Sequence, residues 1–148
     1  MTDAFLAWGR DVIHRTADRL EREIPGAARG KESHRPDYES VYVDFADARL
    51  PQTLALWLFA AKSGARTNVR GYPDIVGAGL KHDADEELAR GQWKLRPLAP
   101  FAWHVHVDER VEGYRWLRRA SELPEDPAAA ADEIGDRVIG TLRRSLIL

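Results

Sequence analysis

The chain has 148 residues, 44% hydrophobic and 31% charged, a balance that suits one globular domain with a buried core. Its 22 basic and 24 acidic side chains leave a formal charge of -2, so no strong overall field draws it to nucleic acid or an anionic membrane. Cysteine is absent, which excludes disulfides, thiolate metal sites and a cysteine nucleophile.

The N-terminus shows no basic leader followed by an apolar stretch, and the longest apolar run, Leu54 to Ala61, is too short to span a bilayer. A cytoplasmic location is the expectation. Phe5, Trp8, Val12, Ile13, Leu20 and Ile24 recur at steps of three and four, predicting an amphipathic helix that Thr2 or Asp3 caps and Pro25-Gly26 stops. Residues 27–38, small and charged without periodicity, read as a flexible loop. Val41, Val43 and Phe45 then alternate with Tyr42 and Asp44, as a strand with one buried face requires.

The run Leu54 to Ala61 is apolar at every position, which periodicity alone leaves between a central strand and a buried helix. Its shortness and the Ser63-Gly64 turn that follows favour the strand. Three glycines and a proline make 65–81 read as a strand end and an irregular loop. An acidic helical turn is expected after His82, then strands around Trp93 and Leu95 and over 101–107. A helix is predicted over 111–121, with Tyr114, Leu117 and Trp116 as its inward residues. A last helix opens with Asp126 as N-cap and Pro127 at its first position, its buried stripe marked by Ala131, Ile134, Val138, Leu142 and Leu146. The fold class expected is therefore α+β: a single domain with a mainly antiparallel sheet of about four to five strands, an N-terminal helix and two C-terminal helices.

In the stretch FAWHVHVDE, His104 and His106 share one strand face while Trp103, Val105 and Val107 take the other. Two imidazoles so placed can hold a metal, but a third donor is needed and no histidine elsewhere has a spacing that supplies it. The downstream glutamate and later histidine of a cupin are missing. If the strands share a core side, Tyr42, Asp44, His104 and His106 project from one outer face, where a carboxylate tunes an imidazole for acid–base work or for plain hydrogen bonding.

Other groupings carry less. Asp74 and Lys94 have a spacing similar to that of restriction-type nucleases, yet Gln92 stands where the second carboxylate belongs. Lys62, Arg66 and Arg70, with Asn68 and Tyr72, make a short basic-aromatic patch suited to a phosphate or an acidic protein surface. Arg115, Arg118 and Arg119 are expected to pair with Glu109, Glu112 and Glu122 along one helix. Gly77 and Gly79 lack the lysine of a phosphate loop. Five tryptophans are many for this length, and Trp93 and Trp116 are the candidate interface anchors.

The reading that results is a non-enzymatic, cofactor-free module that binds another protein, as an accessory, immunity or adaptor domain does, with Trp93, Trp116, Arg66, Arg70 and Tyr72 as binding residues and a homodimer as one possible state. The alternatives are a small enzyme or a ligand- or metal-binding protein using Tyr42, Asp44, His104 and His106, and a weak nucleic-acid binder using Arg66 and Arg70.

Overall fold

The first helix forms where its apolar stripe predicts. In the computed structural model, which describes residues 3–46, 54–82, 109–112 and 115–146, α1 spans Ala4–Glu23. The Asp3 carboxylate caps it, accepting from the backbone N–H groups of Phe5 and Leu6 at 2.9 and 3.2 Å. Leu6, Val12, Ile13, Ala17 and Leu20 are buried along the stripe. Strands β1 (Ala27–Arg35), β2 (Tyr38–Phe45), β3 (Leu54–Ala61), β4 (Ile75–His82), β5 (Glu109–Glu112) and β6 (Arg115–Arg119) follow. A 3-10 turn at Ala120–Glu122 then leads into α2 (Pro127–Leu146). The Asp126 carboxylate caps α2 by accepting from the Ala129 N–H at 3.1 Å.

The six strands form one sheet in the order β1-β2-β3-β4-β6-β5, antiparallel at every pairing. The run 54–61 is therefore a central strand, paired with β2 on one side and β4 on the other. None of the described helices is long and apolar enough to cross a membrane.

Three expectations are corrected. Residues 27–38 are not a loop: Ala27–Arg35 is an edge strand that pairs along β2, with its register interrupted between Arg29 and Glu32. An edge strand is wet on its outer side, so it needs no apolar alternation, and charged residues there block pairing with other chains. The glycine-rich end of 65–81 is strand β4, whose glycines face bulky neighbours. The helix expected over 111–121 is instead the β5–β6 pair and the 3-10 turn, because pairing of β6 with β4 overrides its helical propensity. The two helices are thus one at each end of the described chain, two and not the three expected, and the sheet is antiparallel as expected. The acidic turn and the strands expected around Trp93 and over 101–107 lie outside the described residues.

One side of the sheet carries the main core. Val41, Val43 and Phe45 of β2, Leu56, Leu58 and Ala60 of β3, Val76 and Ala78 of β4 and Trp116 of β6 pack with both helices in a single cluster. Alternation then sends Tyr38, Trp57, Phe59, Ala61, Ile75 and Leu117 to the opposite side, where a second and smaller cluster forms with Ala65, Val69 and Tyr72 of the 62–74 loop. Trp8 ties the helix ends together, its indole N–H donating to the Glu125 carbonyl at 2.8 Å.

Two close approaches need glycine. A Cβ at Gly9 would lie 2.6 Å from that of Ala60, so α1 rests on β3 at backbone distance. A Cβ at Gly77 would meet the Phe59 ring at 2.6 Å and the Trp116 carbonyl at 2.5 Å. Gly77 is Phe59's cross-strand partner, so its missing side chain is what lets the ring lie down across β4. Gly77→Ala should therefore lower unfolding free energy by about 2–3 kcal/mol, the usual cost of overpacking, measurable by urea denaturation.

Candidate functional site

Among the described residues, the sheet side away from the helices is only partly covered. The 62–74 loop folds over one end of it and is held chiefly by the Asn68 side chain. Asn68, 9% exposed, donates from its amide nitrogen to the carbonyls of Lys62 at 3.0 Å and Pro73 at 2.8 Å. Its oxygen accepts from the Val69 N–H at 2.6 Å. The start and end of the loop are joined through that group and through Asp74, whose carboxylate accepts from the Ser63 N–H at 2.8 Å. Arg115 adds a bond from β6 to the Thr67 carbonyl at 2.7 Å.

Beside the loop lies a concavity of about 500 Å³ lined by Lys31, Ser33 and Arg35 of β1, Asp37 of the turn, Tyr38 and Tyr42 of β2, Trp57 of β3, and Arg66 and Thr67. Its size is within the range of ligand sites. Tyr42 and Trp57 are directly opposed across the β2–β3 pairing. The Trp57 indole is fixed twice: its N–H donates to the Tyr38 hydroxyl at 2.6 Å, and its ring stacks on Phe59 at 4.3 Å between centroids. Burial pushes the Tyr38 phenol up to about 12, so it stays protonated and remains a neutral acceptor for that bond at physiological pH.

Around this aromatic floor stand three exposed cations, Lys31, Arg35 and Arg66. Among the described residues none of the three has a carboxylate in salt-bridge contact. The helix side differs: Arg15 pairs with Asp11, Arg19 with Glu23 and Asp136, Arg29 with Asp18 and Glu21, and Arg118 with Glu133. Lys62 is also engaged, 2.5 Å from Asp3, which removes it from the expected basic patch. Arg118 reaches α2, and Arg119 lies 5.4 Å over the Tyr72 ring with Arg110 at 5.6 Å, rather than along the helix expected for them.

The sequence candidates are thus separated. Tyr42 and Arg66 meet in the concavity. Asp44 is exposed on the same sheet side but outside the lining, and Arg70 is exposed elsewhere on the loop. Tyr72 packs beneath its arginines at the far end. Trp116, 1% exposed, belongs to the main core and offers no surface for an interface. His104, His106 and Trp93 lie outside the described residues, and among the described residues no three His, Asp or Glu side chains gather as a metal set. Lys31, Arg35, Tyr38 and Trp57 were not singled out from sequence. The signal that reaches Trp57 is β3 itself: a strand apolar on both faces must place Trp57 and Phe59 opposite its leucines.

A second concavity, about 630 Å³, lies where the start of α1 meets Pro73, Leu123 and Pro124, with Phe5 and Trp8 in its wall. It is larger but mainly apolar, and among the described residues Asp74 and Glu125 are its charged members; the first is where chemistry can discriminate ligands. No protein-family model, curated protein or solved structure matches the chain.

The strand that carries Lys31 and Arg35 is anchored from behind by His14 of α1. The Arg29 guanidinium lies 3.0 Å from His14 Nδ1 and can only donate, so the imidazole proton sits on Nε2; that nitrogen lies 2.8 Å from Glu32. Burial lowers the His14 pKa, with Arg29, Arg10 and His34 adding to the effect and Glu32 opposing it. Below the ordinary histidine value the unfolded chain takes a proton that the folded one resists, so this contribution is present above about pH 6.5 and lost as pH falls. His14→Gln offers the same acceptor and donor without titrating, and its urea midpoint should fall less than wild type between neutral and mildly acid pH. For the loop, Asn68→Asp replaces the donor facing two carbonyls with an acceptor, and should cost about 2–3 kcal/mol in denaturation experiments.

Proposed function

We propose that the chain is a non-enzymatic protein-binding module, of the accessory, immunity or adaptor kind, that meets its partner with the sheet side opposite its helices. The observation that carries this reading is the concavity in which Tyr42, Trp57, Arg35 and Arg66 converge. Tyrosine, tryptophan and arginine are the residue types that dominate interface energetics. A pre-fixed indole loses little rotamer freedom when covered, so more of its burial is retained as affinity. Tyr42 keeps the outward role expected of it, now beside an indole and cations.

A cysteine-free chain suits a reducing compartment, and the cytoplasm is the location we favour. Self-association through the β1 edge is disfavoured by the irregular register between Arg29 and Glu32 and by the charges at Lys31, Glu32 and Arg35.

The test is affinity recovery of partners from the source cells with three forms of the protein. Arg35→Glu with Arg66→Glu reverses charge on the proposed face; Arg10→Glu with Arg22→Glu makes the same change on exposed positions of α1. At least one protein recovered by wild type and by the α1 variant should be lost with the face variant. Identical recoveries from all three would overturn the reading.

A further inference from the structure

Taking the proposed face as the working surface, we infer that it accepts an acidic peptide segment that carries an aromatic side chain. The inference rests on that reading and adds the chemistry of what is bound. Lys31, Arg35 and Arg66 are exposed and, among the described residues, without carboxylate partners; Arg10 and Arg22 of α1 share that state, but it is the first three that border the concavity. Lys31 and Arg35 come from β1, and Arg66 comes from the loop. Between them lies an aromatic floor, not an acidic one. A ligand that satisfies this arrangement carries two or three anions spaced around a flat apolar group.

Two features favour a peptide over a nucleic-acid strand. Nucleic-acid affinity grows with the number of phosphates neutralised, and among the described residues three unpaired cations line the hollow. A phosphate chain, charged at every step, would meet Asp37 in the lining and exposed Asp44 on the same sheet side, whereas a peptide can set an uncharged residue against each. A peptide can place carboxylates at the cations and neutral residues beyond them. Arginine's fork also matches a carboxylate with two parallel hydrogen bonds. The aromatic residue of the ligand fits because the Tyr42–Trp57 pair offers ring surface, and ring–ring contacts add attraction beyond area burial.

At the aromatic floor β3 is paired on both sides, and β2 is paired on both sides except at Tyr42, where the β1 register shifts, so the ligand meets this floor through side chains. Recognition therefore depends on charge and ring, which makes the proposal sharply testable.

The experiment titrates the full-length protein with three probes: a short glutamate-rich peptide with one central tyrosine, the same peptide with glutamine for glutamate, and an oligothymidylate of similar length. Binding is followed by calorimetry and by the Trp57 indole N–H resonance, assigned with Trp57→Phe. The acidic peptide should bind and shift that resonance. The glutamine peptide, and the acidic peptide with the Lys31→Gln, Arg35→Gln, Arg66→Gln variant, should bind roughly tenfold or more weakly.

An unchanged thermal midpoint in the triple variant confirms that the loss is local. Tighter binding of the oligothymidylate, equal binding of both peptides, or no binding of the acidic peptide at millimolar concentration each overturns the inference. In any of these cases, loss of cellular partners with the Arg35→Glu, Arg66→Glu protein still upholds the broader reading, so the two can fail separately.

Discussion

Strand β3 is apolar on both faces, and two helices can cover only one of them. Leu56, Leu58 and Ala60 are taken by α1 and α2, while Trp57, Phe59 and Ala61 are left on the other side. Most of what distinguishes this domain follows from how that second side is handled. The 62–74 loop is drawn over part of it, the glycine at 77 makes space for a ring, and what the described residues leave beside the loop is a hollow with an indole in its floor. Burying that surface removes apolar area from water at roughly 25 cal/mol per Å², which is reason enough for a loop to lie down on it. The portion left open is the portion bordered by cations.

Electrostatics are divided in the same way. The chain is close to neutral as a whole, but neutrality is an average over two unlike sides. On the helix side, several guanidinium groups are matched to carboxylates, as with Arg19 bridging to Asp136, while Arg10 and Arg22 stand exposed. On the open side, Lys31, Arg35 and Arg66 are held by elements whose own geometry is set elsewhere: β1 by its pairing with β2 and by His14, the loop by Asn68. Composition alone reports the sum and hides the partition.

The parts of the fold legible in the sequence were those in which side-chain periodicity and backbone geometry agree. The stripe of α1, the alternation of β2 and the cap at Asp126 are local signals with local causes. Strand β1 was not legible because an edge strand with two polar faces has no pattern to read; its identity comes from the partner strand. Strands β5 and β6 were misread because Arg115–Arg119 has helix-compatible residues, and only β4 across the ladder decides otherwise. The concavity was half visible: Tyr42 and Arg66 could be named, but nothing local brings residues 31, 35, 57 and 66 together. Trp116 looked like an anchor because it stands among arginines, and the strand geometry turns it inward.

The way the 62–74 loop is fastened has a consequence for how this surface can change over time. Its shape is set by Asn68, Asp74 and Arg115, whose bonds run to main-chain atoms and so are indifferent to the identity of most neighbours. Arg66 and Arg70, which point to solvent from the same loop, carry none of that task. Exchanging them re-addresses the domain without reopening the question of whether it folds.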